Sequence, residues 1–210
     1  MPSEPAWLDR MTAAWAQTSA WELLAVALAL AYLLLAVRQS RWCWAAALAS
    51  TAIFSVLFWN VQLLMQSALN VYYMAMAVYG WWHWQHGGQA DTPLPVRRWP
   101  LRAHARAIAV IVLAALLTGA VLANHSEAAR PYLDALITWG AVVTTFMVAR
   151  KVLENWAYWM VINSLAVVLF LDRGMQATAA LHAAYLVISV FGWQRWRRDE
   201  RAPGAASARG

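Results

Sequence analysis

The chain contains two copies of one segment. Residues 21–84 align without a gap on residues 133–196 in the register that places Gly80 on Gly192. Each copy holds three long apolar stretches, so the repeat predicts a membrane protein with two similar halves and a site between them. The identical pairs include Arg38 with Arg150, Trp44 with Trp156, Tyr73 with Tyr185, Trp81 with Trp193, and Trp84 with Trp196.

Composition agrees with a chain whose main solvent is lipid. Of the 210 residues, 62% are hydrophobic and 12% are charged, and the mean hydropathy is +0.47. An ordinary soluble domain is far less apolar. We therefore expect a multi-pass membrane protein.

Seven apolar segments are long enough to cross a bilayer, which takes about 20 mostly apolar residues. They are residues 20–37, 42–59, 61–82, 103–123, 132–149, 156–171 and 175–193. The second and third segments are nearly continuous, and we divide them at Asn60 because together they are about twice as long as one crossing. The equivalent Asp172-Arg173-Gly174 of the second copy is typical of a turn and supports this division.

Three helices per copy is an odd number, so two copies joined directly would face opposite ways across the membrane. The segment 103–123 has no counterpart in either copy, and its insertion returns the second copy to the orientation of the first. We predict an all-α integral membrane protein in a 3+1+3 arrangement with parallel, SWEET-like repeats. The predicted units are an N-terminal tail 1–19, a first repeat 20–84, a cytoplasmic loop 85–102, a linking helix 103–123, a second repeat 132–196 and a disordered cytoplasmic tail 197–210.

Basic residues predict the orientation. If the N-terminus lies outside, the outer side keeps only Arg10, Arg130 and Arg173. The other side holds Arg38, Arg41, Arg97, Arg98, Arg102, Arg106, Arg150, Lys151, Arg195, Arg197, Arg198, Arg201 and Arg209. This asymmetry follows the positive-inside rule and predicts a cytoplasmic C-terminus. It also accounts for the sequence pI near 10.0 through anionic lipid, so we expect no nucleic-acid partner.

Polar side chains follow one face of the third predicted helix and the matching face of the seventh. On the third helix they are Gln62, Gln66, Asn70 and Tyr73, spaced by four, four and three residues. The duplicated positions on the seventh helix are Gly174, Thr178, His182 and Tyr185. Because polar groups inside a membrane are costly, their grouping predicts a substrate site.

The sixth predicted helix adds a second polar and aromatic face, formed by Trp156, Trp159 and Asn163. Pseudo-symmetry would bring the second, third, sixth and seventh helices around one axis. Each polar residue taken alone also fits a hydrogen bond between helices. His182 fits either a proton relay or a neutral histidine satisfied by a neighbour.

Most tryptophans lie at helix ends, where they are expected to anchor the protein at the lipid–water interface. This group comprises Trp42, Trp59, Trp81, Trp82, Trp84, Trp139, Trp193, Trp196 and also Trp156. Trp159 lies nearly a turn deeper in its helix. It is therefore the better candidate for stacking on a ligand ring.

Fixed charges are absent from the middle of every predicted helix, since Glu22, Asp134, Glu154 and Asp172 all fall near helix ends. A carrier driven by protons or sodium usually keeps a carboxylate at the midplane. The sequence therefore favours facilitated diffusion. An uncharged pocket of amides and aromatic rings suits a small planar heterocycle, including a cationic one.

These residues resemble the PnuC family of bacterial vitamin transporters. The likeness rests on Asn155-Trp156-x-x-Trp159-x-x-x-Asn163, on the stripe from Gln66 to Tyr73 and on the aromatic-Gly-Trp-x-x-Trp helix ends at 79–84 and 191–196. It covers nearly all of residues 21–196. The resemblance implies facilitated uptake of nicotinamide riboside across the bacterial inner membrane, with flux held inward by cytoplasmic phosphorylation. It also implies a homotrimer without a cofactor.

The same resemblance leaves the cargo open, because relatives carry thiamine or riboflavin. It implies contacts from Gln66, Asn70, Tyr73, Trp159 and Asn163, with His182 as a further candidate.

Two other classes of protein are weighed against a transporter. A membrane enzyme would need a catalytic or metal constellation, and His83, His86 and His104 lie together without a cluster of carboxylates. We expect no metal and no enzymatic activity. A seven-helix sensor or receptor remains an alternative, although the duplication and the absence of a folded cytoplasmic output domain argue against it.

Overall fold

The computed structural model describes residues 20–60, 64–88, 94–125, 130–172 and 175–201, without the side chains of 64–66, 125, 176 and 177. Seven α-helices account for nearly all of this part of the chain. They are α1 (Ala20–Val37), α2 (Trp42–Asn60), α3 (Leu64–His86), α4 (Leu101–His125), α5 (Pro131–Ala149), α6 (Asn155–Asp172) and α7 (Gln176–Arg201).

The helix positions agree with the seven predicted segments, and the predicted break after Asn60 is confirmed. By length and composition, five of the described helices could cross a membrane: α1, α2, α4, α5 and α6. The other two, α3 and α7, carry the polar stripes, and α7 also ends in charged turns, and these polar and charged residues lower the mean hydropathy of the two helices.

The helices pack in chain order, with two further contacts that close the bundle. Helix α2 lies between α1 and α3, α4 packs on α5, and α6 lies between α5 and α7. Contacts of α3 with α5 and of α1 with α7 join the first three helices to the last three. The space between these two groups of helices holds the cavity described below.

A buried row of four tryptophans forms the centre of the core at one end of the bundle. Trp44 meets Trp84 edge to face at 5.5 Å, Trp84 meets Trp196 at 6.0 Å, and Trp196 meets Trp156 at 5.5 Å between ring centroids. All four rings are almost fully buried. The expectation that Trp84, Trp156 and Trp196 are interfacial anchors is therefore wrong. Their helix ends face other helices instead of lipid, and burying a large aromatic ring is strongly favourable.

The indole groups of two of these tryptophans link the two groups of helices. Trp84 Nε1 on α3 donates a hydrogen bond to the Val148 carbonyl on α5 at 3.2 Å. Trp196 Nε1 on α7 donates to the Ala36 carbonyl on α1 at 3.0 Å. A buried indole N–H needs an acceptor, so each bond also fixes the orientation of its ring.

Two glycines allow α3 and α7 to pack closely against the rings of the other two tryptophans, Trp44 and Trp156. A Cβ atom built on Gly192 would lie 2.6 Å from carbon atoms of the Trp156 ring, and one on Gly80 would overlap the Trp44 ring. Real Cβ atoms do not approach carbon so closely. These positions therefore require glycine in α3 and α7.

Matching turns end α1 and α5. At the first, Gln39 N–H bonds to Ala36 O and Ser40 N–H bonds to Leu35 O, each at 3.0 Å. The second turn has the same pair of bonds around Lys151, and both central residues have positive φ, 55° at Gln39 and 48° at Lys151. This is a Schellman motif with a side chain at the position where glycine is usual.

The predicted cytoplasmic loop includes a segment that packs against the core. Leu94 and Val96 are buried, and Arg97 pairs with Val152 in a short parallel bridge between the α3–α4 and α5–α6 connections. Residues 89–93 lie outside the described part. The bridge holds the described end of this loop, residues 94–100, against the bundle.

The prediction of a disordered tail from residue 197 is wrong for residues 197–201, because α7 continues to Arg201. Asp199 accepts a hydrogen bond from Gln39 at 2.6 Å, and Glu200 pairs with Arg98 at 3.5 Å. These contacts with the α1–α2 turn and the α3–α4 loop extend the helix beyond its apolar part. Residues 202–210, like the predicted tail 1–19, lie outside the described residues.

Candidate functional site

A cavity of about 300 Å³ lies between the first three and the last three helices. Helices α1, α5, α6 and α7 form most of its wall, and α3 contributes Tyr73. The lining residues are Ala29, Tyr32, Leu33, Ala36, Tyr73, Ile137, Ala141, Val148, Trp156, Trp159, Ile162, Asn163, His182, Tyr185 and Ser189. This volume is in the range of small-molecule binding sites.

A hydrogen bond between α6 and α7 sets the polar side of the cavity. Asn163 Oδ1 and His182 Nδ1 are 2.9 Å apart. With the amide oxygen as acceptor, the imidazole Nδ1–H is the donor, and in the neutral ring Nε2 is left as an acceptor. Asn163 is 3% exposed, so its amide is removed from bulk solvent and its orientation is fixed.

Ring contacts hold His182 on two sides. Its imidazole stacks on Phe170 with centroids 5.2 Å apart and meets Tyr185 edge to face at 5.7 Å. The stack with Phe170 ties α7 to α6, as the hydrogen bond does. His182 is thus placed by its neighbours before any ligand arrives, which lowers the entropic cost of binding.

Aromatic side chains form the remaining wall. Trp159 packs against the tryptophan core through one side and reaches the cavity with the other. Tyr32 and Tyr73 also line it, and these three residues, together with Ala29, line a second cavity of about 210 Å³ whose other walls are α2 and Thr145 of α5. Stacking surfaces in an apolar enclosure suit a flat ring.

The larger cavity has no Asp, Glu, Lys or Arg among its described lining residues. Its polar atoms come from hydroxyl, amide, indole and imidazole groups. The indole nitrogen of Trp156 is buried and makes no hydrogen bond among the described residues. Such a site offers hydrogen bonds and π surfaces but no counter-ion.

Six of the ten residues that the sequence singled out meet at this cavity: Tyr73, Trp156, Trp159, Asn163, His182 and Tyr185. Asn70 is buried on α3 and Thr178 lies on α7, but neither lines the cavity. Gln62 lies outside the described residues. Gln66 lies within α3, and its side chain is outside what the structure describes.

The predicted ring of helices differs from the observed one. The sequence pointed to the second, third, sixth and seventh helices, but α2 does not line the larger cavity, and α1 and α5 do. Tyr32 on α1 is the main residue that the sequence analysis missed. Its signal is weak because α1 is apolar on every face, so a tyrosine there marks no polar stripe.

Comparison with known proteins identifies the family. Residues 19–198 match the family model described as "Nicotinamide mononucleotide transporter". The chain belongs to this family. The match covers all seven helices except the last turn of α7, and the resemblance to the PnuC vitamin transporters is thereby confirmed.

Two relatives of the nicotinamide mononucleotide transporter family carry different names. "Nicotinamide riboside transporter PnuC" of Escherichia coli is 25% identical over 183 residues, which cover 75% of this chain and 77% of that protein. "Riboflavin/roseoflavin transporter RibM" of Streptomyces davaonensis is 30% identical over 186 residues, or 83% of this chain and 84% of that protein. The chain is therefore a membrane transporter of a vitamin-carrying family.

A solved structure supports the fold. The crystal structure of the vitamin B3 transporter PnuC superposes with a TM-score of 0.65, covering 88% of this chain and 81% of that one at 19% identity. The helical arrangement of the family is thus retained although few residues are shared.

Proposed function

We propose that this protein carries nicotinamide riboside across the bacterial inner membrane by facilitated diffusion. The observation that carries the proposal is the cavity between the two groups of helices, whose polar groups are uncharged and whose walls are aromatic. Cytoplasmic phosphorylation of the riboside would hold the flux inward, because the added charge prevents the product from returning through such a site.

The chemistry of nicotinamide riboside fits these walls. Its pyridinium ring is flat and cationic, and a cation is attracted to the faces of tryptophan and tyrosine by about 1–2 kcal/mol where water is excluded. Trp159, Tyr73 and Tyr185 offer such surfaces. The absence of a carboxylate in the described lining favours release on the other side, since a paired charge would hold the cation too tightly.

Asn163 is the residue we assign to ligand orientation. Its oxygen is engaged by His182, and its amide nitrogen, which makes no hydrogen bond to the described residues, would donate to a carbonyl or hydroxyl oxygen of the riboside. His182 Nε2 would accept from a hydroxyl or amide group. Gln62, Gln66, Asn70 and Thr178 remain proposed contacts that close on the ligand in another stage of the transport cycle.

We also propose the 3+1+3 arrangement with parallel repeats, an outside N-terminus and a cytoplasmic C-terminus. Features that occur once in each copy support it. They are the Gly80–Trp44 and Gly192–Trp156 contacts, and the hydrogen bonds that Trp84 and Trp196 each donate to a helix of the other copy. A homotrimer is likewise proposed, on the family resemblance alone.

Riboflavin is the second candidate cargo, and thiamine follows. The 30% identity to the riboflavin/roseoflavin transporter favours riboflavin, and so does the neighbouring cavity, since the rings of Tyr32, Tyr73 and Trp159, together with Ala29, line both spaces. Movement of these rings would give room for three fused rings and a ribityl chain. A sensor or receptor role is the remoter alternative.

Thermal shift separates these cargoes. A ligand that binds the native state raises the melting temperature of the purified protein by mass action. We expect nicotinamide riboside to give the largest rise. Riboflavin and thiamine are tested at the same concentration, chosen within the solubility of all three vitamins. A larger rise with riboflavin would transfer the assignment to that vitamin, and no rise with any of the three would remove the proposal.

Uptake into proteoliposomes then tests the site and the mode of transport. We expect Asn163→Ala and Gln66→Ala to abolish riboside uptake while the protein remains folded. Ser164→Ala is the matched control, because its exposed side chain bonds only to Met160 O of the same helix. Uptake that depends on a proton or sodium gradient would contradict facilitated diffusion, and normal uptake by both variants would remove the site assignment.

A further inference from the structure

Three side-chain nitrogens without a hydrogen-bond partner among the described residues lie together outside the substrate cavity. They are Arg97 Nη2, Arg150 Nε and His83 Nε2, and each is buried and makes no hydrogen bond among the described residues. Unsatisfied buried donors cost roughly 1–3 kcal/mol each, and more when charged. Such a group is therefore expected to have a partner that the described residues do not supply.

Neighbouring groups hold the three side chains in place. Arg97 is fixed by its backbone bridge to Val152, and its Nε donates to the Arg150 carbonyl at 3.1 Å. Arg150 Nη1 donates to the Tyr79 hydroxyl at 3.1 Å, and the Tyr79 ring stacks on His83 at 5.4 Å. The donors thus converge on a fixed scaffold built from α3, the α3–α4 loop and the end of α5.

Within the described residues, no carboxylate neutralises the charges in this group. None of the ion pairs formed in the described part of the chain includes Arg97 or Arg150. The nearby Glu154 pairs instead with Arg98 and accepts from the Trp99 N–H. Burial, and then the neighbouring charge of Arg150, lower the pKa of Arg97.

We propose that Arg97, Arg150 and His83 form a binding site for a phosphate group at the arginine-rich end of the bundle. Guanidinium groups match the oxygens of phosphate in geometry and charge, and an imidazole N–H adds a third donor. The three residues are each partly exposed, so the group lies at the protein surface. Binding requires Arg97 and Arg150 to exchange their present hydrogen bonds for the ligand, so that the covered nitrogens reach it.

Two sources can supply this chemistry. One is the headgroup of an anionic phospholipid at the membrane surface, and the other is a soluble phosphate or phosphate monoester in the aqueous phase. In either case the site is separate from the substrate cavity, since none of the three residues lines it. The inference therefore does not depend on the identity of the vitamin.

The melting temperature of the full chain tests the proposal. In neutral detergent, inorganic phosphate at about ten times its Kd is expected to raise the melting temperature by about 4 °C relative to chloride at equal ionic strength. The double variant R97Q/R150Q is expected to lose this rise. R102Q/R106Q is the matched control, because it removes two exposed arginines from α4 and should keep the rise.

Further arms distinguish the sources and guard against a variant that does not fold. His83→Gln changes only the third donor, so it should reduce the rise in a protein that keeps both arginines. A rise with phosphatidylglycerol over phosphatidylcholine in mixed micelles, without a rise from soluble phosphate, assigns the lipid headgroup. Equal rises in the two double variants, or no rise from phosphate or phosphatidylglycerol in the wild type, would overturn the proposal.

Discussion

Trp196 donates its indole N–H to the carbonyl of Ala36 across the bundle, at 3.0 Å. The two residues are 160 positions apart in the chain, and the bond joins α7 to α1. Trp84 makes the corresponding bond from α3 to α5. The two groups of helices are thus held together by two buried indoles at the same end of the cavity.

Replacing one of these indoles tests how much they contribute to the stability of the folded protein. Trp196→Phe removes the hydrogen bond, worth about 1 kcal/mol, and leaves a small void, so we expect a loss of about 2–4 kcal/mol. For a chain of this length the melting temperature should fall by roughly 5–12 °C. Trp42→Phe is the control, since Trp42 is 59% exposed and should change stability little. Equal effects of the two substitutions would contradict a core role for Trp196.

The glycine beside Trp156 predicts an effect on both stability and transport. In Gly192→Ala the new methyl group would lie 2.6 Å from the Trp156 ring, which is buried and lines the cavity, so a shift of the ring into the cavity would reduce the space for a ligand. We expect a cost of about 1–3 kcal/mol from overpacking and slower uptake from a smaller cavity. Gly80→Ala is the control, because its methyl group would overlap the Trp44 ring, which does not line this cavity, so it should cost stability without slowing uptake in this way. Wild-type uptake by Gly192→Ala would show that Trp156 does not move.

The contrast between two neighbouring tryptophans shows what the sequence could not provide. Trp82 is 57% exposed and Trp84 is 4% exposed, although both lie in the last turns of α3 and both fit an interfacial anchor. Length and apolarity are local properties, so they predicted all seven helices. Which side of a helix end meets lipid depends on the neighbouring helix, and only the folded structure provides that.

The candidate site shows the same limit. Asn163 and His182 were singled out because polar groups at helical spacing are rare in apolar segments, and they lie 2.9 Å apart. Asn70 satisfied the same criterion and is buried, but it does not line the cavity, because a polar helix face does not determine which neighbouring space it borders. Tyr32 was missed since no periodic polar pattern surrounds it.

Lys151 predicts an unusual dependence of stability on pH. Its ammonium lies 4.6 Å from the centre of the Trp84 ring, and burial lowers its pKa in the folded protein from 10.5 to about 8. The unfolded chain therefore binds more protons between these values, so the free energy of unfolding rises as pH increases through this window. Below about pH 8 the full cost of burying the charge remains.

Thermal unfolding at two pH values measures this effect. From about pH 7 to about pH 9.5 we expect a gain on the order of 2 kcal/mol from Lys151. Lys151→Met keeps the length and the positive φ of the residue but cannot titrate. The increase in the free energy of unfolding of this variant over the same pH range should therefore be smaller by about 2 kcal/mol. A fall in melting temperature that is the same in both proteins would rule out a depressed lysine pKa.

Labelling of paired positions tests the proposed orientation of the repeats. Trp59 at the end of α2 and Leu171 at the end of α6 occupy equivalent places in the two copies, and both side chains are exposed. Parallel repeats put them on one side of the membrane, so Trp59→Cys and Leu171→Cys should both react with an impermeant maleimide added outside intact cells.

Arg41→Cys, at the opposite end of α2, should react only after the membrane is opened. The native Cys43 gives no background, since its thiol is fully buried. Labelling of Trp59→Cys and Leu171→Cys from opposite sides would mean inverted repeats, and α4 would then no longer serve to reorient the second copy.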